Sequence, residues 1–226
     1  MKLQDFPAIA FLLKISVAPQ LSMMTPKSNA SIAQVAAVAG IIATVAFFRV
    51  IRATLLPELP NFSPVMAMAF CGGLFLPGLQ AWLLPLAVIA VSDIALSVCL
   101  GYPPFGAGQF AAWACLLIAV GSGRWLARWP QLKSSALIAV VTSNALIFYL
   151  VTNAASWALE PSYPRDFGGL VQALTTGLPG YPPTWQFFRN ALVSDFLFVA
   201  LILGVRHFAV RPSGNSVGSE PERLRG

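Results

Sequence analysis

Charge is what this chain has least of: only 10% of its 226 residues are Asp, Glu, Lys or Arg. Soluble domains carry about 25%, so a water-soluble globule is excluded as the working expectation. Histidine is almost absent too, with His207 alone near the C-terminal end. The cysteines are Cys71, Cys99 and Cys115, each inside an apolar run, which suits small packing residues better than disulfides or ligands. A zinc or haem site therefore lacks its usual ligand set, and no cofactor is expected. There is no GxxxxGK[ST] nucleotide loop, so any ATP hydrolysis must come from another protein. Gly-x-Gly-Asp is missing as well, and no histidine lies near either intramembrane aspartate, which argues against an intramembrane protease or other enzyme.

What the chain does have is apolar length. Hydrophobic residues make up 57% and the mean hydropathy is +0.74. Runs of about 20 apolar residues recur, as an all-α, polytopic helical bundle in a lipid bilayer requires. Segments of about 10 alternating residues, the mark of an outer-membrane barrel, are not seen. We read six spans, at residues 31–51, 64–77, 79–100, 109–126, 134–159 and 185–208. The second is shorter than the usual minimum of about 17 residues and is interrupted by Cys71-Gly72-Gly73, so it is expected to be tilted and packed or re-entrant. Residues 1–30 read as a leader or an upstream start, 31–208 as the membrane domain and 209–226 as a disordered cytoplasmic tail.

The net charge of +6 has a plainer cause than nucleic acid, which is not an expected partner. With six spans, ten of the 14 basic residues fall on the side of the two termini. The other four are Arg49, Arg52, Arg165 and Arg189. Both termini are thus expected in the cytoplasm, with the chain multi-pass in a bacterial inner membrane.

Two aspartates lie within these spans, each closing the same triplet: Val91-Ser92-Asp93 and Val193-Ser194-Asp195. A carboxylate at bilayer depth costs about 2.5–3.5 kcal/mol on insertion scales, so it faces the protein interior or a wet cavity. Asn153 and Asn190 join them in the same half of the membrane. The result is a candidate small-molecule site of Asp93, Asn153, Asn190 and Asp195 opening outward, with Asn61, Phe62, Trp157 and Trp185 as rim or lid. The bland alternatives are helix–helix hydrogen bonding for the polar groups and interface anchoring for the tryptophans. The first span also repeats small residues four apart (Ala33/Ala37, Ala36/Gly40, Ala39/Ala43), a pattern that permits close approach by another helix.

Leu59-Pro60-Asn61-Phe62-Ser63-Pro64-Val65 and Phe70-Cys71-Gly72-Gly73 resemble an uncharacterised bacterial membrane family, domain of unknown function 6580, whose members are described as transport proteins. Pro85 with Ser92-Asp93 fits that family's next block. Ser143-Asn144 through Asn153, Trp157, Tyr163 and Gly169-Leu170 fit another, and Phe187-Phe188-Arg189-Asn190 with Asp195 fit the last. The chain departs where the family favours His in the Pro-rich first loop and Glu58-Leu59 stands here. In fold the family is similar to the substrate-binding S-components of energy-coupling-factor transporters. That resemblance implies capture of a small solute, vitamin-like or metal, and a first helix that docks on a membrane coupling subunit driven by an ATPase. A proton-coupled secondary transporter acting alone and a structural membrane subunit are the competing expectations.

Overall fold

The computed structural model describes residues 32–101, 105–129 and 134–209. Within them the chain is all-helical: α1 (Ile32–Leu55), α2 (Val65–Phe75), α3 (Gln80–Leu100), α4 (Ala107–Ala127), α5 (Ser134–Leu159), α6 (Phe167–Leu174) and α7 (Thr184–Ala209). Four of these are long and apolar enough to cross a membrane, namely the stretches Gln80–Leu100, Gly108–Ala127, Ser134–Leu159 and Thr184–His207. Large apolar side chains such as Leu83, Val98, Phe110, Leu201 and Val205 point outward. A helix hydrophobic on its outer face as well as its inner one belongs in lipid. The leader and nearly all of the tail lie outside the described residues, as do the side chains of residues 32–38 that carry part of the small-residue pattern.

The short second helix is the centre of the bundle. Of its 11 residues nine are buried, and it packs against α3, α4, α5 and α7. Around it α1 meets α3, α3 meets α4, α4 meets α5, and α5 meets α7. Phe48 and Phe198, with ring centroids 5.6 Å apart, close the circuit from α7 back to α1. The approach of α2 to α4 depends on glycine from both sides. A Cβ at Gly73 would overlap the Val120 carbonyl oxygen, and one at Gly123 would overlap that of Phe70. Small residues allow such backbone contact, which supplies the dispersion energy that lipid-embedded helices use in place of a hydrophobic drive. Pro85, inside α3, packs on the other glycine of α2, Gly72.

Length creates the site. At 1.5 Å per residue α2 is about 16 Å long and α3 about 31 Å. Both have an end at the 76–79 turn, so α2 stops roughly halfway up the bundle. The upper half of the central axis is left to residues 56–64, which descend between the longer helices. Phe62 marks the depth: its ring lies 5.9 Å from that of Phe198 and 6.4 Å from that of Phe48. Phe198 is 14 residues into α7, about 21 Å along the helix axis. The second span is therefore a re-entrant loop followed by a half-length helix.

Irregular backbone at membrane depth needs its polar groups satisfied by protein or by a wet cavity. Here the loop's turns are closed by Leu59 N–H donating to Leu56 O and Phe62 N–H donating to Leu59 O. Side chains finish the work. Arg52 donates to the Leu59 carbonyl at 3.3 Å, and Asn190 Nδ2 donates to that of Pro60 at 3.1 Å. Asn61 holds the loop's reversal with φ of 59°, a left-handed conformation that asparagine tolerates better than most side chains.

The 160–183 connection is more ordered than a sequence-based loop suggests. It contains α6, whose N-terminus is capped by Asp166 Oδ1 accepting from Gly169 N–H at 2.8 Å. Trp157 Nε1 donates to the Pro164 carbonyl, Arg165 donates to the Trp157 carbonyl, and Tyr149 donates to the Leu174 carbonyl. Gly169 is required for the fold of this segment, because a Cβ there would overlap Pro164 O. The unit packs on α5 and, more lightly, on α7.

Candidate functional site

A cavity of about 200 Å³ occupies the upper half of the axis above α2. Its polar lining comes from Arg49 and Arg52 of α1, Asn61 and Ser63 of the re-entrant loop, Gln109 of α4 and Asp195 of α7. Val65, Met66, Ile89, Ala112, Leu116, Phe148 and Ala191 supply apolar surface, so every long helix contributes to the wall. A small, mostly apolar hollow with a few convergent polar groups is the general form of a small-molecule site.

The two aspartates take different places in it. Asp93 stands behind the wall, 3% exposed. Its Oδ1 lies 2.8 Å from the Arg49 guanidinium. Its Oδ2 accepts from Gln109 Nε2 and, at 3.4 Å, from Trp113 Nε1. Arg49 also donates to Ser92 Oγ, and Ser92 in turn donates to the Ile89 carbonyl. This network joins α1, α3 and α4 and orients two cavity-lining side chains, Arg49 and Gln109. Asp195 is equally buried at 3% but lines the cavity itself. Among the described residues it makes no hydrogen bond and no ion pair. Counting from the helix ends, Arg49 lies about 9 Å down α1 and Asp195 about 16 Å down α7. The acid sits at the floor and the bases nearer the loops.

The other predicted residues divide in the same way. Asn61 lines the cavity. Asn190 is one turn above Asp195, accepts from Arg189 at 3.1 Å through Oδ1, and holds the re-entrant loop through Pro60. Phe62 packs below the loop against Phe48 and Phe198 rather than on a rim. Asn153 donates to the carbonyl of Tyr149 on its own helix. Trp157 secures the 160–183 connection. Trp185 lies half-exposed, with the Arg189 guanidinium 5.4 Å above its ring. These last three residues are not in the cavity lining, and neither is any residue from 160 to 183. Gln109, at the start of the fourth apolar run, and Ser63 line the cavity without any signal in the sequence that marks them.

The sequence profile described as "Family of unknown function (DUF6580)" matches residues 29–216. The chain belongs to this family. The DUF6580 match takes in all seven helices and therefore the whole cavity. No curated protein matches the chain, and no solved structure does.

Proposed function

We propose that this protein is the solute-binding subunit of a small-molecule importer in the bacterial inner membrane, with both termini cytoplasmic and the cavity open to the outside. One observation carries the reading: a hollow ringed by membrane helices holds a buried acid, Asp195, that has no hydrogen bond or ion pair among the described residues. A carboxylate left in that state costs several kcal/mol of desolvation unless a ligand or water meets it. A protein that needed Asp195 only for packing would do better with leucine or asparagine, so a function for the acid group is the economical explanation.

On this reading α1 presents the docking side to a membrane coupling subunit, whose ATPase supplies the energy, as in energy-coupling-factor importers. The outer part of the site is the 56–64 loop, held down by Arg52 and Asn190. Uptake into cells or vesicles should be lost in Asp195→Asn protein that inserts and folds normally. Wild-type protein that retains no solute from cell extract, judged by native mass spectrometry, would overturn the reading.

The unpartnered carboxylate also suits a free-standing, proton-coupled transporter. Uptake that collapses when the proton gradient is dissipated, and persists without any ATPase partner, would favour that mechanism instead.

A further inference from the structure

Most polar groups around the cavity are already engaged by protein. Arg49 pairs with Asp93 at 2.8 Å, Gln109 donates to the same carboxyl group, and Arg52 donates to the Leu59 carbonyl. Ser63 Oγ accepts from Val65 N–H at 3.4 Å. The side chains of Asn61 and Asp195 line the same hollow and, among the described residues, make no hydrogen bond or ion pair. Asp195 is the deeper of the two and only 3% exposed, so whatever meets its oxygens must come from inside the cavity. A carboxyl group carries two oxygens on one edge, and a single donor meets only one of them. An amino N–H standing beside a ring nitrogen meets both, with two parallel hydrogen bonds. That match does not depend on where the proton resides. An acid that keeps it donates to the ring nitrogen and accepts from the amino group, and an acid that has passed it to the ring accepts from both nitrogens.

Resting on the importer reading above, we propose that the solute is a small, flat nitrogen heterocycle with an amino group next to a ring nitrogen, seated edge-on against Asp195. The volume limits it to one ring with short substituents. A cavity of about 150 Å³ takes benzene, so this one, at about 200 Å³, takes about eight to ten non-hydrogen atoms. The apolar part of the wall suits a flat ring, since Phe148 offers an aromatic face or edge and Met66 a polarisable thioether beside Leu116. Asn61, on the loop above, can donate to or accept from a polar substituent on the ring's far edge. Asp195 supplies the discrimination. An isomer with its amino group one ring position further away makes one bond and leaves the second oxygen unmet in a site that has no other donor for it.

The test uses purified full-length protein in detergent at neutral pH, with thermal unfolding as readout. The probes are 2-aminopyridine, 3-aminopyridine, aniline and 2-methylpyridine, with Asp195→Leu beside the wild type. The first of these should raise the wild-type midpoint, and the other three should need at least tenfold higher concentration for the same shift. In Asp195→Leu the advantage of 2-aminopyridine should vanish. Either 3-aminopyridine or aniline matching 2-aminopyridine on the wild type would overturn the assignment. That comparison needs no variant, so it decides the matter even where Asp195→Leu unfolds early. An Asp195→Leu protein that keeps the full preference would overturn it as well, and so would a wild type indifferent to all four probes. In that last case native mass spectrometry separates the two ideas: a retained solute without an amino group beside a ring nitrogen removes only the heterocycle, whereas an empty spectrum removes the importer reading too.

Discussion

Asp93 and Asp195 close identical Val-Ser-Asp triplets, and in both the serine is buried and donates to the carbonyl three residues back. The aspartates that follow share the same 3% exposure. Their surroundings do not match. Asp93 faces α1 and α4, where Arg49, Gln109 and Trp113 converge on it. Asp195 lines the cavity instead, and among the described residues no donor reaches it. One triplet thus provides a staple and the other an open acceptor. Burial alone does not distinguish a structural intramembrane acid from a functional one; what stands opposite it does.

That contrast can be broken from either side, and the largest effect is expected at the staple. Arg49→Met leaves Asp93 with its charge uncompensated, and removing one partner of a buried pair typically costs about 3–5 kcal/mol. Unfolding in an SDS titration should show that loss, and Arg49→Met combined with Asp93→Leu should recover most of it. A double variant no better than Arg49→Met would mean the pair is not coupled.

Next in size is the pin on the re-entrant loop. Asn190→Ala leaves the Pro60 carbonyl without its donor, for which about 1–3 kcal/mol is expected, together with faster exchange of amide hydrogens in residues 56–64. Unchanged exchange there would show that the loop stays in place by Phe62 packing alone.

Asp195→Asn should then lower stability by less than about 1 kcal/mol, or raise it, since among the described residues it makes no hydrogen bond to lose. Set beside Asp93→Asn, which weakens the Arg49 pair, it gives the sharpest form of the comparison: equal burial, unequal cost. Equal costs in the same titration would erase the distinction drawn here.

The smallest effect lies outside the membrane. Burial, and after it the Glu160 carboxylate, raise the Tyr163 phenol above its ordinary value of 10.0. The folded state keeps that proton longer than the unfolded chain does. Its contribution to stability is complete below pH 10 and declines as pH climbs through the raised value. Tyr163→Phe should flatten the alkaline part of a stability–pH curve, and an unaltered slope would assign it to other groups.

Much of this was legible in the linear chain. Apolar runs of about 20 residues can end up only as membrane helices, because lipid satisfies no backbone hydrogen bonds. The brevity of the second run, with its Gly72-Gly73, was visible too, and so were the two aspartates. The α6 helix was readable in principle from Asp166 as its cap and Phe167, Leu170, Val171 and Leu174 at helical spacing. Two adjacent glycines, each costing about 1 kcal/mol of helix propensity, obscured it. Asn153 and Asn190 looked alike in sequence, yet one satisfies its own helix and the other reaches a residue 130 positions away.

Periodicity and hydropathy are local properties, so the sequence by itself settled the solvent, the helices and which side chains were too polar for lipid. It also held the family membership. Only the tertiary structure decided that α2 is the axis, that residues 56–64 fill the space above it, and which aspartate received a partner. Those outcomes depend on unequal helix lengths meeting at a common turn and on arginine from a distant helix reaching one carboxylate and not the other. Such pairings are set by three-dimensional distance, which no spacing along the chain encodes.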